Sequence, residues 1–171
     1  ERNVRYLMEF PPGESSSLSS MLSQRKKPFG ESGFIVLPDC YESVREKAQE
    51  ELVEKKSRFL AEVHPISSEQ EAERLIAQAR QQHPGARHVC FAYRVGFDPV
   101  HERSSDDGEP SGTAGKPMLE VLQRRNLDQT LVLVIRYFGG ILLGAPGLVR
   151  AYTQAACKGL DAAGRRRWPL C

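Results

Sequence analysis

The chain has 171 residues, room for one domain plus extra segments, and its 40% apolar share fits a globular protein rather than a disordered one. A formal charge of +2 excludes a global basic field, so any contact with nucleic acid has to come from local patches. Four scattered cysteines with no C-x-x-C pair, no leader-like start and no bilayer-length apolar run point to a reduced, cytoplasmic location without a membrane span.

Residues 1–42 differ in composition from the rest. Pro11-Pro12-Gly13-Glu14-Ser15-Ser16-Ser17 is a linker composition and Arg25-Lys26-Lys27-Pro28 a short basic island, so this extension is expected to be disordered or loosely packed. Over 43–53, Ser43 and Glu46 have capping-box spacing and the Glu, Lys and Gln content favours helix. Residues 54–63 read as a strand with Phe59, Ala61 and Val63 on one face, ended by Pro65. A helix follows, because Ser68 and Glu71 form a second capping box and Ala72, Leu75, Ile76 and Ala79 fall at i, i+3, i+4 and i+7. Pro84-Gly85 stops it. Residues 88–95 alternate, with Val89, Phe91, Tyr93 and Val95 pointing one way and Cys90, Ala92 and Arg94 the other. A long polar loop is expected after Gly96, then a short helix from Pro117 with Met118, Val121 and Leu122 inward. Residues 130–135 are a β-branched apolar run, short enough for a strand buried on both faces. After a glycine-rich turn, a helix is expected with Pro146 at its first position and Val149, Tyr152, Ala156 and Ala163 on its apolar face.

Two stretches carry what chemistry the chain offers: SDDGEPSGTAGKP at 105–117 and RYFGGILLGAPGLVRAY at 136–152. The first is not a phosphate loop, because Pro110 stands where the leading glycine belongs and Pro117 replaces the hydroxyl residue that would hold magnesium. Asp106, Asp107 and Glu109 either hold a hard cation or cap turns and the helix at Pro117; without a complete ligand set the capping role is favoured. The four histidines share no metal spacing. Ser105, His88 and Asp106 make a hydrolytic trio only on paper, since no G-x-S-x-G elbow is present. Arg136 sits where a buried strand ends, so it needs a carboxylate, with Asp106, Asp107 and Glu109 the internal candidates, or a ligand. Were Lys116, Arg136 and Arg150 to converge, they would form a phosphate groove with Tyr137 for stacking. The turn itself, through Gly139 and Gly140, either cradles an anion or only lets the chain reverse.

Lys56-Ser57-Arg58-Phe59, then Ala86-Arg87-His88-Val89-Cys90-Phe91-Ala92-Tyr93-Arg94, then the two long stretches, together resemble the YigZ/IMPACT family from about residue 52 to 163. The resemblance implies an α+β fold like the second domain of a ribosomal small-subunit protein. That means a mixed sheet of about four strands, helices on one face and a left-handed βαβ crossover. It also suggests a strand in the later part of 43–53. Eukaryotic members act in translational control, interfering with amino-acid-starvation signalling to an initiation-factor kinase, while the bacterial members have no settled activity. Pro146 departs from the family's GAGGLVRAY, which would stiffen the turn and remove one N–H donor. The tail at 164–171, basic and divergent, stands where bacterial members continue into a ferredoxin-like second domain, which is expected to be missing. The domain is therefore placed at 43–163. The expected function is a binding or regulatory module of translation, with RNA, ribosome or a translation-regulatory protein as partner. The alternative is an enzyme or small-molecule phosphate binder using the two stretches. The binding candidates are Asp106, Asp107, Glu109, Lys116, Arg136, Tyr137, Gly139, Gly140 and Arg150; no catalytic residue, metal or cofactor is assigned.

Overall fold

The computed structural model describes residues 4–9, 34–38, 40–97 and 99–169. Its strands are β1 (Val4–Glu9), β2 (Phe34–Pro38), β3 (Cys40–Val44), β4 (Ala48–Glu54), β5 (Ser57–Pro65), β6 (His88–Val95), β7 (His101–Ser105), β8 (Thr130–Tyr137) and β9 (Arg165–Pro169). Its helices are α1 (Glu69–Gln82), α2 (Gly115–Arg124) and α3 (Gly144–Ala163). The class is α+β, as expected. The main sheet runs β4-β5-β8-β6-β7 with every neighbouring pair antiparallel. It has a fifth strand because the polar stretch after Gly96 is no loop: His101–Ser105 pairs along the edge of β6. An edge strand needs no apolar alternation when its outer side meets water, so the polar sequence hides it.

β8 lies at the centre because its side chains are apolar in both directions. Leu131, Leu133 and Ile135 pack with Val89, Phe91 and Tyr93 and with Ala72, Ile76 and Ala79 of α1. Val132 and Val134 pack on the other face with Phe59, Ala61, Val63, Cys90 and Ala92 and with α2 and α3. Helices thus cover both faces, α1 on one and α2 and α3 on the other. The start of α1 follows the predicted cap, the Glu71 N–H donating to Ser68 Oγ at 3.1 Å. The Glu71 carboxylate returns to the Ser67 N–H at 2.8 Å, one residue earlier than in the usual box. Burying Ile76 contributes about 2 kcal/mol.

The strand order fixes the hand of one connection. β5 and β6 both run against β8, so they are parallel to each other and joined through α1. β7 and β8 both run against β6, so they too are parallel and joined through α2. Each crossover skips one strand, moves the same way relative to its own strand direction and uses the opposite face of the sheet. Two such connections have opposite hands, so one is the left-handed crossover that the ordinary rule disfavours.

Three expectations are corrected, the first being the start of α3, which lies at Gly144 and not at Pro146. Residues 43–53 are not helical: Ser43 Oγ donates to Gln129 O and meets Thr130 Oγ1 at 3.1 Å instead of capping, and β3 and β4 flank a bend. On α3, Val149 is exposed and the buried stripe runs Leu148, Ala151, Tyr152, Ala155, Ala156, Leu160 and Ala163. Arg94, on the same face as Cys90 and Ala92, is fully buried, its Nε 3.0 Å from Glu102 Oε1 and its Nη1 donating to Leu122 O and Leu127 O at the end of α2. Within 1–42, β1 and β2 pair with each other, whereas the linker and the basic island lie outside the described residues. The tail forms β9, antiparallel to β3, with Arg165 2.8 Å from Glu42.

Candidate functional site

The acidic glycine stretch divides its three carboxylates among three tasks. Asp106 Oδ2 accepts the Gly112 N–H at 2.9 Å, and its Oδ1 accepts those of Ala114 and Gly115 at 3.1 and 2.9 Å. Burial works against its charge, but these backbone donors outweigh it and hold the carboxyl below the usual carboxylate range. Asp106 therefore closes the start of α2. Asp107 takes the Val89 N–H at 2.7 Å and pairs with Arg80 at 3.0 Å, tying the loop to β6 and α1. Glu109 turns inward instead.

Alternation along β8 decides what Glu109 meets. Arg136 points to the α2 and α3 face, where its Nη1 donates to Glu109 Oε1 at 2.5 Å and its Nη2 to Ser57 Oγ at 3.4 Å. Tyr152 of α3 donates its hydroxyl to the same Oε1 at 2.7 Å. His88 Nε2 stands 3.7 Å from that oxygen while its Nδ1 bonds Asp107 O at 2.8 Å. Arg136 is only 5% exposed and Glu109 8%, so this is a buried pair, and neither group is free to act as a surface charge. Burial pushes the Tyr152 hydroxyl far up, with Cys90 and Glu109 adding to it. The Cys90 thiol is pushed up to about 12, mainly by burial, which leaves it protonated and inert. Ser105 Oγ accepts the Asp107 N–H and Asp106 serves α2, so the paper trio with His88 is not assembled.

Above the pair lies a cavity of about 260 Å³, lined by Arg87, His88, Glu109 and Arg136, by the apolar Phe138, Leu142 and Leu148, and by Gly144 and Ala145 at the start of α3. The 105–117 and 136–152 stretches therefore meet here. Of the nine candidate residues, Glu109 and Arg136 line this cavity. Tyr137 does not: it lies on the α1 face, 2.7 Å from His83 Nδ1 through its hydroxyl. Phe138 takes the place expected for it, with the guanidinium carbons of Arg87 and Arg136 at 5.0 and 5.5 Å from its ring centre. Arg150 lines a separate cavity with Lys55 and Glu54, and Lys116 is exposed and lines neither, so the three cations do not converge. Of the alternatives open to Arg136, an internal carboxylate or a ligand, the structure supplies the internal one, Glu109.

Gly139 and Gly140 act in the turn. A Cβ on Gly139 would sit 2.1 Å from the Lys56 carbonyl, so the turn lies directly on the β4–β5 hairpin. That hairpin holds Lys55 and Lys56 in left-handed conformation, as a two-residue turn of the type that suits strand twist. Around the turn, Phe138 is 37% exposed, Ile141 42% and Leu142 81%. His88, Arg87, Phe138 and Tyr152 were missed as site residues. A tyrosine on a buried helix stripe was the available signal, since its hydroxyl needs a partner. Among the described residues no group of three or more His, Cys, Asp or Glu side chains could hold a metal, and no helix is long and apolar enough to cross a membrane.

Comparison with known proteins matches residues 55–160 to the Impact N-terminal domain, a span that contains the whole cavity. The chain is 49% identical over 121 residues to the IMPACT family member YvyE of Bacillus subtilis (strain 168), covering 71% of this chain and 56% of that protein. It is 45% identical over 100 residues to the IMPACT family member YigZ of Escherichia coli (strain K12), covering 57% and 49%. A solved structure described as the crystal structure of a hypothetical protein superposes with a TM-score of 0.74 at 36% identity, covering 78% of this chain and 66% of the other. The chain spans about half the length of these bacterial relatives.

Proposed function

The chain belongs to the Impact N-terminal domain family, and on that premise we propose that it is a cytoplasmic binding module of translation whose partner is RNA, ribosome or a translation-regulatory protein. The observation that carries this reading is the turn after β8. Phe138, Ile141 and Leu142 stand exposed there, and Lys55, Lys56, Arg87 and Arg150 sit around them without a carboxylate partner among the described contacts. Exposed apolar side chains rimmed by unpaired cations fit a partner that offers both negative charge and flat or apolar groups. The translational setting comes from the family, whose eukaryotic members act in translational control. The alternative of a phosphate bound on the acidic glycine stretch has less support, because Asp106 already takes the N–H groups that a phosphate would need.

Crosslinking in cells followed by identification of bound RNA and protein tests the proposal. With an RNA partner, Lys55→Glu together with Lys56→Glu should weaken binding and flatten its dependence on salt by about 0.7 in log–log slope per lost phosphate contact. With a protein partner, Leu142→Asp should abolish capture while the salt dependence stays shallow. Unchanged capture by all three substitutions would move the partner surface elsewhere.

A further inference from the structure

The cavity beneath the turn has a chemistry that docking of a large partner does not require. We propose that it binds a single carboxylate carried on an apolar body. Four observations lead there. The start of α3 has no side-chain cap, whereas α2 has Asp106. Pro146 lacks an N–H and the Gly147 N–H is taken by the first helical bond, so the donors left in this first turn include those of Gly144 and Ala145, and both residues line the cavity. Arg87 and Arg136 line it as well, against one carboxylate, Glu109, so its guanidinium groups outnumber its carboxylates by one. Arg136, 5% exposed, has no hydrogen-bond acceptor for its Nε. Arg94 Nε also lacks one, with Glu102 Oε1 at 3.0 Å; Arg136, unlike Arg94, stands in the wall of this cavity.

One excess charge selects a monoanion over a phosphate dianion, and the remaining wall is apolar: Pro110, Phe138, Leu142, Leu143 and Leu148. About 260 Å³ is ample for a branched five- or six-carbon acid and small for a nucleotide. Such a group occurs either on a free short acid or at a peptide C-terminus ending in an apolar residue. The two share the carboxylate-plus-apolar chemistry the cavity recognises. The inference goes beyond the docking reading and stands if that reading fails.

The test uses the whole chain, 4-methylpentanoate as probe and backbone amide shifts as readout. Saturable shifts at Gly144 and Ala145, with an affinity on the order of millimolar for so small a ligand, are expected. The neutral 4-methylpentan-1-ol should bind at least about tenfold more weakly. Two variants separate charge from backbone strain. Gly144 has a φ of 74° and open space around a Cβ, and Asp and Asn are the side chains that best tolerate that region. Gly144→Asp supplies an internal carboxylate and should cut binding about tenfold or more, while Gly144→Asn, with the same backbone demand, should cost less than about threefold. A Leu-ending tetrapeptide that binds more tightly than the free acid, and loses this on C-terminal amidation, assigns the carboxylate to a chain end; the reverse order assigns it to a free acid. Equal binding of acid and alcohol, equal effects of Asp and Asn, or no saturable shift at these amides overturns the proposal.

Discussion

Two helices begin at opposite ends of the same polar network, and their first turns are treated differently. α2 starts at Gly115 under Asp106, whose carboxylate accepts three backbone N–H groups. α3 starts at Gly144 with no side chain on its free donors, facing a cavity that holds two arginines. The carboxylate that shares this cavity with the start of α3 is Glu109, and it is engaged by Arg136 and Tyr152 instead. A glycine-rich approach to a helix is therefore not in itself an anion site. What separates the two is whether the chain supplies its own anion.

The largest expected effect removes the charge that keeps the two ends apart. Glu109→Ala leaves Arg136 buried without its carboxylate and the Tyr152 hydroxyl without an acceptor, and should cost about 3–5 kcal/mol in urea unfolding. Next comes the closed end: Asp106→Ala should cost about 2 kcal/mol. Its pH dependence sharpens the point. The folded carboxyl is depressed, so its contribution is present above the unfolded value near 3.8 and is lost as pH falls through the lower folded value. Glu62 and Glu71 are also depressed and share the acid limb, so the measurement is the difference between wild type and Asp106→Asn, whose curve should fall less steeply below about pH 4. The smallest effect belongs to the open end: Phe138→Ala should stay within about 1 kcal/mol in stability, because the ring is partly exposed, while weakening partner capture. A stability loss for Phe138→Ala as large as that for Asp106→Ala would mean that the open end is structural after all.

Much of this contrast was legible before any coordinates. Arg136 follows five apolar residues, so its need for a counter-charge was visible, as was the loop that would supply it. Which of three carboxylates answers was not, because that depends on Asp106 turning back on its own loop and on Glu109 reaching across to another strand. The burial of β8 on both faces, the capping of α1 and the alternation of β6 were carried by local pattern. What local pattern could not carry was long-range: Tyr137 and Phe138 look interchangeable until the register sends Tyr137 to the α1 face. Tyr152 looks like any apolar stripe residue until its hydroxyl meets Glu109. The edge strand at 101–105 has the composition of a loop, and only its pairing with β6 makes it a strand.

The place of β8 also bears on how the molecule is made. β4 pairs with β5 and β6 with β7 across short connections, but the two hairpins share no strand; each meets only β8, which follows both in the chain. During synthesis the two halves of the sheet can each form early, yet they stay separate until Tyr137 has emerged. Their inner edges, β5 and β6, are exposed and hydrogen-bond-hungry for that interval, and these are the edges richest in buried apolar residues. Slowing elongation just before Thr130 should therefore raise aggregation of the nascent chain, whereas the same delay after Ala163, when the centre strand and α3 are both in place, should not.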